Sequence, residues 1–107
     1  MAFQSTMEVV NGVANITLKG ELDASVAGIF KETIEQAAAQ NAQRLVLNMH
    51  ELEFLASAGL RVLIFAKQKM GSGVPIYVIG SQGPVLSTLE MSGFHQSVYI
   101  QDSYQEG

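Results

Sequence analysis

The chain has 107 residues, a formal net charge of −4, a 48% hydrophobic composition and no cysteine. That length holds one domain with one core, and the hydrophobic content argues for a globular fold and against disorder. Without cysteine there are no disulfides, thiolate zinc sites or cysteine nucleophiles.

The negative charge argues against duplex nucleic acid as a partner, because the phosphates would be repelled. Met1 to Met7 lacks the basic segment and apolar run of a signal peptide. The longest apolar stretch, Val62 to Ala66, falls far short of the ~20 residues that cross a bilayer. A cytoplasmic protein with no membrane insertion is the expectation.

Phe3 to Val10 reads as a strand, and Asn11-Gly12 as a tight hairpin turn, since both residues tolerate positive φ. Val13 to Lys19 alternates, with Ala14, Ile16 and Leu18 on one face and Asn15, Thr17 and Lys19 on the other. A half-exposed antiparallel pair follows. Gly20-Glu21-Leu22-Asp23 ends the second strand, and Asp23 has the chemistry of a helix N-cap. Val26, Phe30, Ile34 and Ala37 then recur at helical spacing, predicting a helix over about Ala24 to Ala39 that stops at Asn41.

Arg44 to Met49 is a short uninterrupted apolar run, as in a strand covered on both faces. His50 to Ala56 reads as a loop leading into a largely buried helix from about Ser57 to Met70. Leu60, Leu63, Ile64 and Lys67 mark one face of that helix, widened by Val62 and Phe65. Lys67 and Lys69 favour the dipole of its last turn, and Gly71-Ser72-Gly73 ends it. Pro75 to Ile79 is another apolar strand. Gly83-Pro84 opens a third helix with Val85, Leu86 and Leu89 inward and Gly93 as its stop. His95, which follows that helix, reads as ordinary surface. Ser97 to Ile100 is a last short strand, and the tail over 101–107 is polar, with room for one turn of helix.

Alternation of the last four strands with helices implies right-handed crossovers and parallel pairing. The predicted fold is therefore a single α/β domain over residues 1–107. It has a mixed β-sheet, an N-terminal antiparallel hairpin, β-α-β units, and helices packed mainly on one face.

Glu53-Phe54-Leu55-Ala56-Ser57-Ala58-Gly59-Leu60 carries the most chemistry. A hydroxyl at a helix start is often a plain N-cap. The same place exposes unpaired N–H groups and partial positive charge, which suit a phosphate. The small neighbours Ala56, Ala58 and Gly59 leave room for a partner's active site to reach Ser57. A hydrolase reading fits poorly: a nucleophile elbow needs glycine where Leu55 stands, and only His50 and His95 offer a base. No catalytic residue, metal or cofactor is expected.

At these residues the chain resembles the STAS domain family, specifically bacterial anti-sigma factor antagonists. Gly20-Glu21-Leu22-Asp23-Ala24 resembles the family's segment between second strand and first helix. Leu45-Val46-Leu47 followed by Phe54-Leu55-Ala56-Ser57-Ala58-Gly59-Leu60 resembles its central strand and phosphorylation loop. The order of elements agrees over nearly the whole chain.

The resemblance implies a partner switch. The unphosphorylated protein binds a serine kinase that doubles as an anti-sigma factor, freeing the sigma factor for transcription. With ATP bound, the kinase phosphorylates the serine and the complex dissociates. A PP2C-type phosphatase resets the switch. Ser57 matches the phosphorylated serine, and Asp23, Phe54, Leu55, Ala56, Ala58 and Gly59 match the partner-binding surface around it. Phe54 and Leu55 are adjacent and point opposite ways, so one is core and the other an exposed anchor.

The family usually reads Asp-Ser-Ser-Gly or Asp-Ser-Thr-Gly here. Ala56 and Ala58 stand in place of the aspartate and the second hydroxyl, so Ser57 is the sole acceptor in its loop. STAS domains also regulate transporters and other non-transcriptional outputs, which is the alternative reading.

Overall fold

The computed structural model describes residues 2–104. Five strands, β1 (Gln4–Val10), β2 (Val13–Leu22), β3 (Arg44–Leu55), β4 (Ile76–Ile79) and β5 (Tyr99–Gln101), form one sheet in the order β1-β2-β3-β4-β5. The first pair is antiparallel and the other three pairs are parallel. Helices α1 (Ala27–Ala39), α2 (Ser57–Met70) and α3 (Gly83–Ser92) fill the crossovers, and a 3-10 turn over Phe94–Ser97 precedes β5. Asn11 and Gly12 take φ of 52° and 78°, the positive angles that the hairpin turn requires.

Strand alternation separates the two sheet faces. Ala14, Ile16, Leu18, Leu45, Leu47, Ile76 and Val78 join Phe30 and Ile34 of α1, Leu63 and Ala66 of α2, and Val85 and Leu89 of α3 in the main core. Val46, Tyr77 and Ile79 form a second, smaller cluster with Val13 and Tyr104, to which no helix contributes. The helices thus cover one face, as the order of elements predicts.

The main departure lies after Met49. The apolar run ends there and predicts a loop over His50 to Ala56, but β3 runs on to Leu55 alongside β2. The register shifts between Thr17 and Lys19, and again between Gly20 and Glu21. Across each shift β3 advances one residue more than β2: Thr17 and Lys19 face Asn48 and Glu51, then Gly20 and Glu21 face Leu52 and Phe54. Each extra residue is a bulge that resets which side chain faces inward. The buried positions are accordingly Met49, Leu52 and Leu55, a spacing of three that hides the strand from a search for period two.

Smaller departures have local causes. The first helix begins at Ala27, because Ala24 to Val26 form a turn. The buried face of α2 is Gly59, Val62, Leu63 and Ala66, while Ile64 is exposed; long apolar side chains draw the predicted stripe toward Ile64. Leu86 is half-buried, and Ser97 belongs to the 3-10 turn. Gln101 pairs in β5 and Tyr104 packs on the sheet, so the polar tail is partly ordered. Residues 105–107 of the predicted tail lie outside the described residues.

Candidate functional site

The register of β2 and β3 builds the site. Leu22 pairs with Leu55 and Glu21 with Phe54, and the Ala56 N–H donates to the Leu22 carbonyl at 2.9 Å. The end of β2, which continues into Asp23, is thereby fastened beside the entry to α2. The structure brings together Asp23 and the Phe54–Gly59 segment, which are far apart in sequence.

Ser57 is the first residue of α2 and is exposed. It is not the cap: the N-cap is Ala56, with φ −83° and ψ 168°, and no side-chain hydrogen bond closes this helix end. The capping reading of Ser57 is therefore corrected. The chain enters the helix one residue earlier than a serine cap requires, at a residue whose side chain has no acceptor. The first intrahelical bond runs from the Leu60 N–H to the Ala56 carbonyl at 3.0 Å. The N–H groups of Ser57, Ala58 and Gly59 precede it and have no partner within the helix. An exposed hydroxyl thus sits on an uncapped, partially positive helix end.

Around it, Ala56 and Ala58 are half-buried and Phe54 is 45% exposed, whereas Leu55 is 2% exposed. Phe54 is the outward member of the pair and Leu55 the inward one. Gly59 is buried, and a Cβ on it would stand 2.7 Å from Leu22 Cγ and 2.8 Å from Leu55 Cδ1. Leu55 and Gly59, which the resemblance matches to the partner-binding surface, are thus buried directly beneath it. Gly59 lets α2 approach the strand ends closely, and the pair set the position of Ser57 from beneath.

Asp23 also departs from its expected role. It accepts from the Ser25 Oγ–H at 2.6 Å and the Ser25 N–H at 2.9 Å, and its carbonyl accepts from the Val26 N–H at 3.3 Å. The residue before α1 is Val26, which makes no side-chain cap. Asp23 closes a local turn three residues ahead of the helix, because the Ser25 hydroxyl competes for its carboxylate. The Ser25 hydroxyl, and then its N–H, hold the Asp23 carboxyl below its ordinary value. Sequence reasoning misses Ser25; Asp-x-Ser is the signal that would find it.

Of the two hydrolase candidates, His50 is engaged away from Ser57. The His50 Nε2 lies 3.2 Å from the Asp102 carbonyl, and its ring occupies the space a Cβ on Gly80 would need. His95, expected at the surface, is half-buried instead, with Nδ1 enclosed and without a hydrogen-bond partner. A cavity of about 750 Å³ is lined by Gly12, Arg44, Met70 and Pro75. It lies at the starts of the parallel strands, the end opposite Ser57, and includes none of the predicted site residues. Among the described residues no group of His, Cys, Asp and Glu is placed to hold a metal ion, and no helix is long and apolar enough to cross a membrane.

Comparison with known proteins gives consistent results. The family model described as "STAS domain" matches residues 4–107. The anti-sigma-F factor antagonist RsfB of Mycobacterium tuberculosis is 30% identical over 87 residues, covering 81% of this chain and 71% of that protein. The anti-sigma F factor antagonist of Paenibacillus polymyxa is 29% identical over 105 residues, 96% of this chain and 90% of that protein. Among solved structures, an anti-sigma factor antagonist from Mycobacterium paratuberculosis superposes with a TM-score of 0.86 at 23% identity, covering 95% of this chain and 87% of the other.

Proposed function

The chain belongs to the STAS domain family, and from that premise we propose that it acts as an anti-sigma factor antagonist, a cytoplasmic binding module rather than an enzyme. In its unphosphorylated form it binds a serine kinase that is also an anti-sigma factor. Transfer of a phosphoryl group from the kinase's ATP to Ser57 releases the kinase. A PP2C-type phosphatase hydrolyses the phosphoserine and restores binding. The names of the relatives from Mycobacterium tuberculosis and Paenibacillus polymyxa support the regulatory class.

The observation that carries the mechanism is that Ser57 is exposed at the first position of α2 and does not cap it. A structural role would have tied up its hydroxyl; here the hydroxyl is available to a kinase. A phosphate there adds roughly −1.5 to −2 charges beside partially positive helix N–H groups, so the helix tolerates the modification. The effect is felt by the partner. Phe54 supplies the apolar anchor and Ala56 and Ala58 the clearance, with Asp23 fastened next to them. A dianion introduced into this patch repels any partner surface built to accept a neutral hydroxyl.

Calorimetric titration of the kinase/anti-sigma factor with parent and Ser57→Asp protein tests this. Weaker binding of the variant with an unchanged circular dichroism spectrum is expected. Equal affinity of the two proteins would overturn the release mechanism.

A further inference from the structure

Four residues after Ser57, on the same helix, stands Arg61. Residues at that spacing are neighbours, with Cβ atoms roughly 5–6 Å apart. Helical side chains lean toward the N-terminus, so Arg61 leans back over the turn that carries Ser57. Both residues are exposed. Between Arg44 and Lys67 the sequence holds no other Lys or Arg. Among the described residues the Arg61 guanidinium has no hydrogen-bond or ion-pair partner. Its own helix offers no rival to Ser57: the other residues three and four positions away are Ala58, Ile64 and Phe65.

The charges on neighbouring elements leave Arg61 as the cation nearest in place. On α1, which packs against α2, Lys31 lies over the Phe65 ring with Nζ 4.9 Å from its centroid, a turn further along; Glu32 and Glu35 of α1 are exposed. The strand ends bring Glu21, Asp23 and Glu53, and Asp23 is bonded to Ser25. Ser57 therefore has carboxylates on its strand side and one guanidinium on its helix side.

From this placement we infer that Arg61 binds the phosphate on Ser57 and serves as its internal counter-ion. The inference rests on the reading that Ser57 is phosphorylated. A neutral serine offers the guanidinium only a hydroxyl. Its phosphate brings roughly −1.5 to −2 charges and three acceptor oxygens, and a guanidinium meets two such oxygens at once. An anion placed N-terminal to a cation at this spacing is also the favoured order on a helix. The partner then meets two changes. Ser57 gains a dianion, and the guanidinium beside it is withdrawn onto the phosphate.

Phosphoserine inserted at position 57 during synthesis of the full chain tests this without a kinase, so an absent pair and an absent kinase give different results. Phosphorus NMR follows the titration of the phosphate. At low salt, Arg61→Gln is expected to raise its second pKa, ordinarily about 6, by roughly 0.2–0.4, because a guanidinium favours the dianion. Arg61→Lys keeps the charge but loses the fork geometry, and is expected to fall between Arg61→Gln and the parent. In about 1 M salt, where screening acts over about 3 Å, the difference should shrink by at least half. A phosphate that titrates alike in the parent and Arg61→Gln would overturn the pair. So would a difference that persists undiminished at high salt.

Discussion

Ala56→Asp tests the physics of the α2 entry directly. Ala56 already has the extended backbone of an N-cap, with φ −83° and ψ 168°, and no side chain closes this helix. Its half-buried position leaves room for a carboxylate. An aspartate there would accept from the N–H of Ala58 or Gly59, the second and third helical residues. Replacing Ala by Asp at an N-cap gains about 1 kcal/mol, and the negative charge adds roughly 0.3–1 kcal/mol from the helix dipole. Repulsion from the exposed carboxylates of Glu21 and Glu53 on the adjoining strand ends is screened over about 8 Å at physiological salt. A net gain of about 1 kcal/mol corresponds to a melting temperature higher by about 4 °C for a domain near this size.

Thermal melts followed by circular dichroism at neutral pH read that shift. The pH dependence supplies a second check. A capping carboxylate has a folded-state pKa below its unfolded value, so its stabilisation is full above the unfolded value and is lost as pH falls through the folded one. The melting temperatures of variant and parent should therefore converge in acid. A variant that melts with the parent or below it at neutral pH would refute the claim that this helix end is uncapped. The same carboxylate would compete with a phosphate on Ser57 for the first-turn N–H groups.

Three further outcomes follow from the site. Ser57→Ala should leave stability within about 0.5 kcal/mol of the parent in urea unfolding, because the hydroxyl caps nothing; a loss of about 1 kcal/mol or more would restore the capping role. Gly59→Ala forces a Cβ to within 2.7 Å of Leu22 and 2.8 Å of Leu55. It should cost about 1–3 kcal/mol, and an unchanged melting temperature would show that the strand ends yield easily. Ser25→Ala removes the larger of the bonds that depress the Asp23 carboxyl, so its pKa, followed by NMR, should rise toward the ordinary value. Whatever stability Asp23 contributes is present above its unfolded pKa and lost as pH falls through the depressed one, so the variant should lose less on acidification. A pKa that does not move would mean that the hydroxyl bond is not formed in solution.

Local signals in the sequence account for much of the fold. Asn-Gly and the alternation after it place the hairpin, because turn chemistry and period two are local properties. The helix Ser57–Met70 is located to its ends, since the small residues before it and Gly71 after it are local signals too. The site's position follows from the resemblance at Ala56-Ser57-Ala58-Gly59. What stays hidden depends on partners distant in sequence. The bulges opposite Thr17 to Glu21 make the second half of β3 read as loop. The choice between Ala56 and Ser57 as cap is set by the backbone bond to Leu22, which no propensity encodes. Gly59 looks like clearance for a visitor because its neighbours Leu22 and Leu55 arrive from two strands. Tyr104 looks like polar tail because the residue it bonds, Arg44, begins a strand 60 positions earlier.

The central claim is that Ser57 is the residue on which the switch turns. Intact-mass analysis after incubation with the serine kinase/anti-sigma factor and ATP tests it most directly. The parent is predicted to gain the mass of one phosphate and Ser57→Ala to gain none. No gain in the parent, or a gain that survives Ser57→Ala, would contradict the account.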